Sequence, residues 1–261
     1  MCIDYRAINN NTIIDRYPMP RIDDILDRLG GSTIFSKIDL ASGYHQVEID
    51  EEHRHRTAFQ SRFGLFEYNV VPFGLCNAPA TFQRLMHQVL SAGLDKHVTV
   101  YLADILVFSK GPTSHEQHVQ WVFDQLRKHG LKAKRKKCEF GMDHLEYLGH
   151  VISKEGISAD PGKTDAVAKW PTPTSKRELQ TFLGLANYYA KLIKHFAWHM
   201  HPLYQLLHKD VPWHWTTEHD TAVQKLKDAL CNAPVLALPN FDLPFTIQTD
   251  ASEFAVGGSL T

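Results

Sequence analysis

The chain has 261 residues, 43% hydrophobic and 22% charged, with a formal net charge of −1. That length can bury a real core, the composition is that of a soluble globular protein, and the charge by itself argues for no partner. The longest apolar stretch, Val98–Phe108, is too short to span a bilayer and is broken by Asp104; no apolar run follows a basic start, so nothing points to secretion.

From Pro20 to Gly30 the spacing of Ile22, Ile25, Leu26 and Leu29 predicts a short helix. Thr33–Leu40 alternates as a strand and carries Asp39 near its end. Tyr44–Ile49 and Thr57–Gln60 also have strand character, with a charged turn between them. Asn77 is placed to cap a helix over Pro79–Leu90, whose stripe is Phe82, Leu85, Met86, Val89 and Leu90. Val98–Phe108 reads as two short strands meeting at a turn near Leu102–Ala103. Ser114–His129 is helical and stops at Gly130. Tyr147–Ile152 is a further strand, followed by a Lys-Glu-Gly turn. Ser175-x-x-Glu178 is a capping box that opens a helix to about His195. A linker is expected from Pro202 to Asp242, with its own helix at Glu218–Leu230. Pro244–Thr249 is a strand that delivers Asp250. Mixed strands and helices in this order predict an α+β protein.

Cys2, Cys76, Cys138 and Cys231 form no CxxC pair and read as free thiols. His115/His118 and His199/His201 lack a matching second half at zinc spacing and read as solvent-facing helix residues. Arg127–Lys137 holds seven Lys/Arg and no acid: either a solvated face or a strip that tracks phosphates. Asp39 and Asp104 are carboxylates among apolar strand residues, costly to bury unless paired, hydrogen-bonded or bound to a cation. Two such groups meeting across a sheet could hold divalent ions for phosphoryl transfer, though lone strand-end aspartates are also common turn caps.

Six segments occur in order: CIDYRAIN (Cys2–Asn9), RYPMPRIDDILDRLGG (Arg16–Gly31), FSKIDLASGYHQ (Phe35–Gln46), RTAFQSRFGLFEY (Arg56–Tyr68), PFGLCNAPATFQRLM (Pro72–Met86) and EYLGHVIS (Glu146–Ser153). Together they resemble the reverse transcriptase of Ty3/gypsy-type LTR retrotransposons. The resemblance implies a right-hand polymerase with an antiparallel palm sheet backed by helices. Fingers and palm would occupy 1–155, the thumb 156–201, a connection 202–242 and the first strands of a ribonuclease H-like domain 243–261. It implies RNA-directed DNA polymerase chemistry with two Mg²⁺ ions (Mn²⁺ substituting), dNTPs, and an RNA or DNA template with its primer. The family's setting is the cytoplasm, in virus-like particles, or the nucleus, with no membrane.

Carried over motif by motif, Asp39 and Asp104 would be metal-binding aspartates. Leu40, Ser42, Gly43, Tyr44 and Phe73 would line the nucleotide site, Tyr44 as the gate against a ribose 2′-OH. Tyr101, Leu148 and Gly149 would contact the primer end, and Gly184 and Tyr188 would track the minor groove. Each has a plainer reading: Tyr44 and Phe73 as core aromatics, Gly149 and Gly184 as packing glycines. Asp250 matches the first ribonuclease H carboxylate. The chain departs from the family at Tyr101-Leu102-Ala103-Asp104, where the family has Tyr-x-Asp-Asp. Ala103 vacates the position whose aspartate binds both ions in relatives, a loss expected to cost on the order of 10²–10⁴ in rate. The sequence also begins inside the first motif, without the basic residues that clamp the triphosphate in the family, so weak nucleotide binding is expected. No ribonuclease H activity is expected, and the last residues are expected to be poorly anchored. The other reading is an inactive module that binds primer–template.

Overall fold

In strand β1 (Ile34–Asp39) Ser36 and Ile38 face one side of a sheet while Phe35, Lys37 and Asp39 face the other, with Phe35 buried as well. The apolar side is covered by helices α4 (Ala78–Leu90) and α5 (Pro112–Lys128), and the main core forms between them and the sheet. Ile38, Phe82, Met86, Ile105, Val107 and Val122 are its centre.

The computed structural model describes residues 3–241, 243–251 and 256–260; Cys2, Asp242 and Ser252 lie outside the described residues. Residues 1–145 and 146–261 are separate compact units. In the first, α1 (Arg6–Asn10) and α2 (Ile22–Asp27) precede β1. Helix α3 (Glu51–Arg54) and the hairpin of β2 (Phe59–Ser61) and β3 (Gly64–Phe66) follow it. After α4 come β4 (Val98–Tyr101), β5 (Asp104–Ser109), α5 and β6 (Glu139–Met142). The four-stranded sheet runs β4-β5-β1-β6, with every pairing antiparallel.

Strands β7 (His144–Tyr147), β8 (His150–Ser153) and β9 (Gly156–Ala159) form a three-stranded sheet. Beyond it the second unit is helical: α6 (Pro161–Ala168), α7 (Lys176–Tyr188), α8 (Phe196–Gln205) and α9 (Thr217–Cys231). Helix α9 packs on α6 and α8. The last described element is the hairpin of β10 (Ile247–Ala251) and β11 (Val256–Leu260).

Several local expectations need correction. Tyr44–Ile49 is not a strand: Gly43–Gln46 is a 3₁₀ turn. Ser42 takes a left-handed φ of 49° just past Asp39 and turns the chain. The Gln46 amide holds that turn, donating to Ala41 O at 2.7 Å and Lys132 O at 3.0 Å and accepting from Lys132 N at 2.7 Å. The charged turn that follows is α3, capped by Asp50. Asn77 occupies the N-cap position of α4 but its side chain makes no capping bond; it accepts from Asp15 N at 3.0 Å and donates to Ile13 O at 2.8 Å, tying down the segment before α2. Tyr147–Ile152 is two strands, broken by Leu148 and Gly149, both at positive φ. The helix from Ser175 ends at Tyr188, not His195, because Tyr188 and Tyr189 are bonded to that turn and His195 is left-handed. Pro202 begins no linker but lies inside α8.

The paired histidines of α5 are not solvent-facing. His115 is buried and bridges β1 and β5, with Nε2 2.6 Å from Ser36 Oγ and Nδ1 2.9 Å from Ser109 Oγ. His118 Nδ1 meets Ser109 Oγ at 2.8 Å, and its ring stacks on His97 at 4.2 Å. Burial is the first cause that pushes all three histidines below the ordinary imidazole value; His118 adds to it for His97 and His115. The unfolded chain therefore binds more protons, so stability is full above the unfolded pKa and lost as pH falls through the folded values. Denaturant midpoints are expected to hold between about pH 8 and 7 and to fall below about pH 6.5. His115→Gln, which cannot titrate, should make that fall shallower; parallel profiles for the two proteins would contradict this account.

Candidate functional site

The pairing of β1 with β5 puts Asp39 directly opposite Asp104. Leu40 N donates to Ala103 O at 3.1 Å, so 40/103 is a hydrogen-bonded pair and 39/104 a non-hydrogen-bonded one. In such a pair the Cβ atoms lie about 4.5–5.5 Å apart on one face. The two carboxylates are thus as close as an antiparallel sheet brings them. Burial is the main cause raising the Asp104 pKa, followed by opposing effects of Lys37, which lowers it, and Asp39, which raises it. Lys137 Nζ stands 3.2 Å from Asp39 Oδ2.

Tyr101 and Asp104 close the β4–β5 hairpin over a two-residue turn, Leu102–Ala103, with Leu102 at φ 54°. Ala103 sits against the loop after Asp39: a Cβ built on Gly43 would lie 3.2 Å from Ala103 Cβ and 3.0 Å from the Phe82 ring. Glycine at 43 is what lets hairpin and loop approach this closely. Leu40 is buried and pairs with Ala133 on its outer side. Tyr44 packs edge-on to Phe82 at 5.6 Å and against Phe73 at 5.1 Å. Its hydroxyl pKa is raised, first by burial and then by Tyr101. Phe73 is 56% exposed, so it is no core aromatic. Asp39, Leu40, Ser42, Gly43, Tyr44, Phe73, Tyr101, Ala103 and Asp104 therefore belong to one contiguous region of the first unit.

In the second unit, the Leu148–Gly149 turn is pinned by two tyrosines. Tyr188 Oη donates to Leu148 O at 2.5 Å and Tyr189 Oη to Gly149 O at 2.9 Å. His150 packs at a tilt against both rings. The Tyr189 hydroxyl is pushed up to about 12, chiefly by burial. Gly149 is glycine because the turn needs φ 73° and because a Cβ would press on Tyr189 Oη at 3.2 Å. Gly184 differs: it is exposed on α7 and a Cβ there would meet nothing within 4 Å, so packing does not account for it. Asp250 lies in β10 opposite Gly257.

The donor set does not fit a two-ion centre of three carboxylates. Among the described residues no group of three or more His, Cys, Asp or Glu is placed to hold a metal ion. At the hairpin only Asp39 and Asp104 offer carboxylates, with Lys137 already beside one of them.

A family model described as reverse transcriptase (RNA-dependent DNA polymerase) matches residues 1–152, more than half of the chain. The chain belongs to the reverse transcriptase family. A second model, an RNase H-like domain found in reverse transcriptase, matches residues 215–261 and so takes in α9, which the sequence alone assigned to a connection. The retrovirus-related Pol polyprotein from transposon 297 of Drosophila melanogaster is 44% identical over 260 residues, 99% of this chain and 25% of that protein. The transposon Tf2-3 polyprotein of Schizosaccharomyces pombe is 37% identical over 261 residues, 100% of this chain and 20% of that protein. These are Ty3/gypsy-type relatives, and the chain spans a quarter or less of their length. A foamy viral protease-reverse transcriptase in complex with double-stranded DNA superposes with a TM-score of 0.88 at 25% identity, over 95% of this chain and 44% of that one. The same enzyme type with an RNA/DNA hybrid gives 0.84 at 24% identity, over 99% and 37%, and supports the fold.

Three residues that hold these elements were not singled out from sequence, Gln46, Gln83 and Tyr189, and Lys137 was singled out only as the end of the basic strip Arg127–Lys137. Gln83 carried a signal, as a polar residue beside Phe82 on the apolar stripe of a helix. Tyr189 did not, since an aromatic on a buried stripe reads as packing. Tyr189→Phe removes one donor and leaves the Gly149 carbonyl without it. The second unit should lose about 1 kcal/mol in denaturant unfolding; an unchanged midpoint would show that the pin carries no stability.

Proposed function

We propose that this chain is a reverse transcriptase polymerase core whose nucleotidyl transfer is crippled at Ala103. The observation that carries this is the Leu102–Ala103 turn. It leaves Asp39 and Asp104 as a closely spaced pair on β1 and β5, with a methyl group where the family has a third carboxylate. In the intact arrangement, divalent ions would supply charge stabilisation to the reacting phosphate. Two carboxylates, one paired with Lys137, hold such ions weakly, so the chain folds as a polymerase and extends primers poorly or not at all. Tyr44 and Phe73, which pack on each other beside this hairpin, would bound a nucleotide's sugar and base. RNA or DNA template with primer, and dNTPs, are the substrates of this reading.

A second activity, binding without turnover, is supported by Gly184. An exposed helix glycine with open space before it suits close approach of a nucleic-acid backbone, and its neighbour one turn on, Tyr188, is tied to the Leu148 turn. The exposed bases from Arg127 to Lys137 add positive charge to the first unit. The structural relatives solved with duplexes are consistent with this reading.

Primer extension with Mg²⁺ should be on the order of 10²–10⁴ faster in Ala103→Asp than in the parent chain. Equal rates would contradict the role given to Ala103. In parallel, fluorescence anisotropy on a labelled RNA–DNA duplex should give an affinity that falls steeply with salt for both proteins. A flat salt response would remove the binding reading.

A further inference from the structure

Helix α4 contributes one fully buried polar side chain, Gln83, whose amide engages three partners. Oε1 accepts from Leu102 N at 2.7 Å; Nε2 donates to Val100 O at 3.0 Å and to His87 Nε2 at 2.8 Å. Val100 lies on β4, the edge strand, opposite Ile105 in a non-hydrogen-bonded position, so its carbonyl points away from β5 and has no ladder partner on that side. Leu102 is the residue at φ 54°, a conformation that costs a non-glycine residue and persists only when neighbours hold it. A side-chain amide that grips the carbonyl before this turn and the N–H within it is such a hold.

The orientation of the amide is decided by chemistry. Flipping it would set Oε1 against the Val100 carbonyl and Nε2 against the Leu102 N–H. Because Nε2 of Gln83 only donates, His87 Nε2 must accept, so the imidazole proton sits on Nδ1. That nitrogen is 2.8 Å from Tyr17 Oη, which accepts from it. Tyr17 is itself held under the Arg84 guanidinium, 4.9 Å above its ring, and Arg84 pairs with Asp15.

We propose that Gln83 is a positioning residue for the Leu102–Ala103 turn, and through it for Asp104, and that His87 and Tyr17 fix its amide in the working orientation. The inference rests on reading Asp104 as a polymerase carboxylate, but the clamp is a statement about the hairpin alone. Protonated at Nε2, His87 would set its own N–H donor against the Gln83 amide donor; the Gln83 amide would then turn its oxygen to His87 and withdraw it from Leu102. Burial holds the His87 pKa down, while Asp95 works the other way. The remaining charges near the imidazole are Arg84 behind Tyr17 and Arg21, Asp24 and Arg28 across the small cavity that His87 shares with Val100.

Amide hydrogen exchange at Leu102, corrected for the intrinsic rate, tests this without metal, nucleotide or turnover. In the parent chain Leu102 should be protected at neutral pH and lose about tenfold or more of that protection as pH falls below about 6.5. Gln83→Leu should remove the protection at every pH. His87→Gln keeps an acceptor that cannot titrate, so it should retain the protection and abolish the pH step. Undiminished protection in Gln83→Leu, or an unchanged pH step in His87→Gln, overturns the proposal. His87→Gln also serves if Gln83→Leu does not fold. Extension by Ala103→Asp with and without Gln83→Leu reads the link to Asp104: a rate reduced about tenfold at unchanged nucleotide KM supports it, and equal rates overturn it. Failure of Ala103→Asp alone would count against the polymerase reading, while Leu102 exchange would still decide the clamp.

Discussion

The register between β1 and β5 is the constraint on which the rest depends. A one-residue slip would send Asp39 into the helix-covered face and Ile38 out of the core. The pairing is therefore fixed by burial: Ile38, Ile105 and Val107 are wholly enclosed between the sheet and helices α4 and α5. The same register sets Asp39 against Asp104 in the closest kind of cross-strand pair. Two like charges at that separation repel, and the fold tolerates them because Lys37 and Lys137 stand nearby and because the core on the other face holds the strands together. The chemistry is carried by a geometry that hydrophobic packing enforces.

Around this pair, small residues and amides do the fitting. Gly43 admits Ala103 and Phe82 at contact distance, Gln46 ties the loop after Asp39 to Lys132, and Gln83 holds the far side of the hairpin. In the second unit the Leu148–Gly149 turn receives the same treatment from Tyr188 and Tyr189. Both turns contain a non-glycine residue at positive φ, Leu102 in one and Leu148 in the other, and both are bonded from outside by a helix side chain. Strain of this kind is kept only where neighbours over-determine it.

Much of the first unit was legible because its helices and strands follow hydrophobic period. The 3.6-residue stripe of Phe82, Met86 and Val89 and the strand at Ile34–Asp39 match the structure, and the family resemblance is borne out by a family model over residues 1–152. What failed was local and polar. Tyr44–Ile49 has strand-forming residues, yet a left-handed Ser42 and the Gln46 amide impose a 3₁₀ turn that propensity does not encode. Asn77 is a good cap by type but is engaged by the backbone at residues 13 and 15, a pairing more than sixty residues distant. His115 looked solvent-facing because its two serine partners come from separate strands. The clustering of Asp39, Tyr44, Phe73 and Asp104 was anticipated through motif resemblance; the cation beside Asp39 was not, since Lys137 is nearly a hundred residues away in sequence.

The loss of a carboxylate at position 103 is the point where fold and chemistry part. Packing does not need an acid there: a methyl group fills the space beside Gly43, and the hairpin closes. On the proposed function ion binding does need one, and the pair that remains is shared with a lysine. Direct titration with Mn²⁺, followed by electron paramagnetic resonance of the free ion, measures this without nucleotide or primer. The account predicts at most one weakly held ion per chain, abolished by Asp39→Asn. Two tightly bound ions in the parent chain would contradict it.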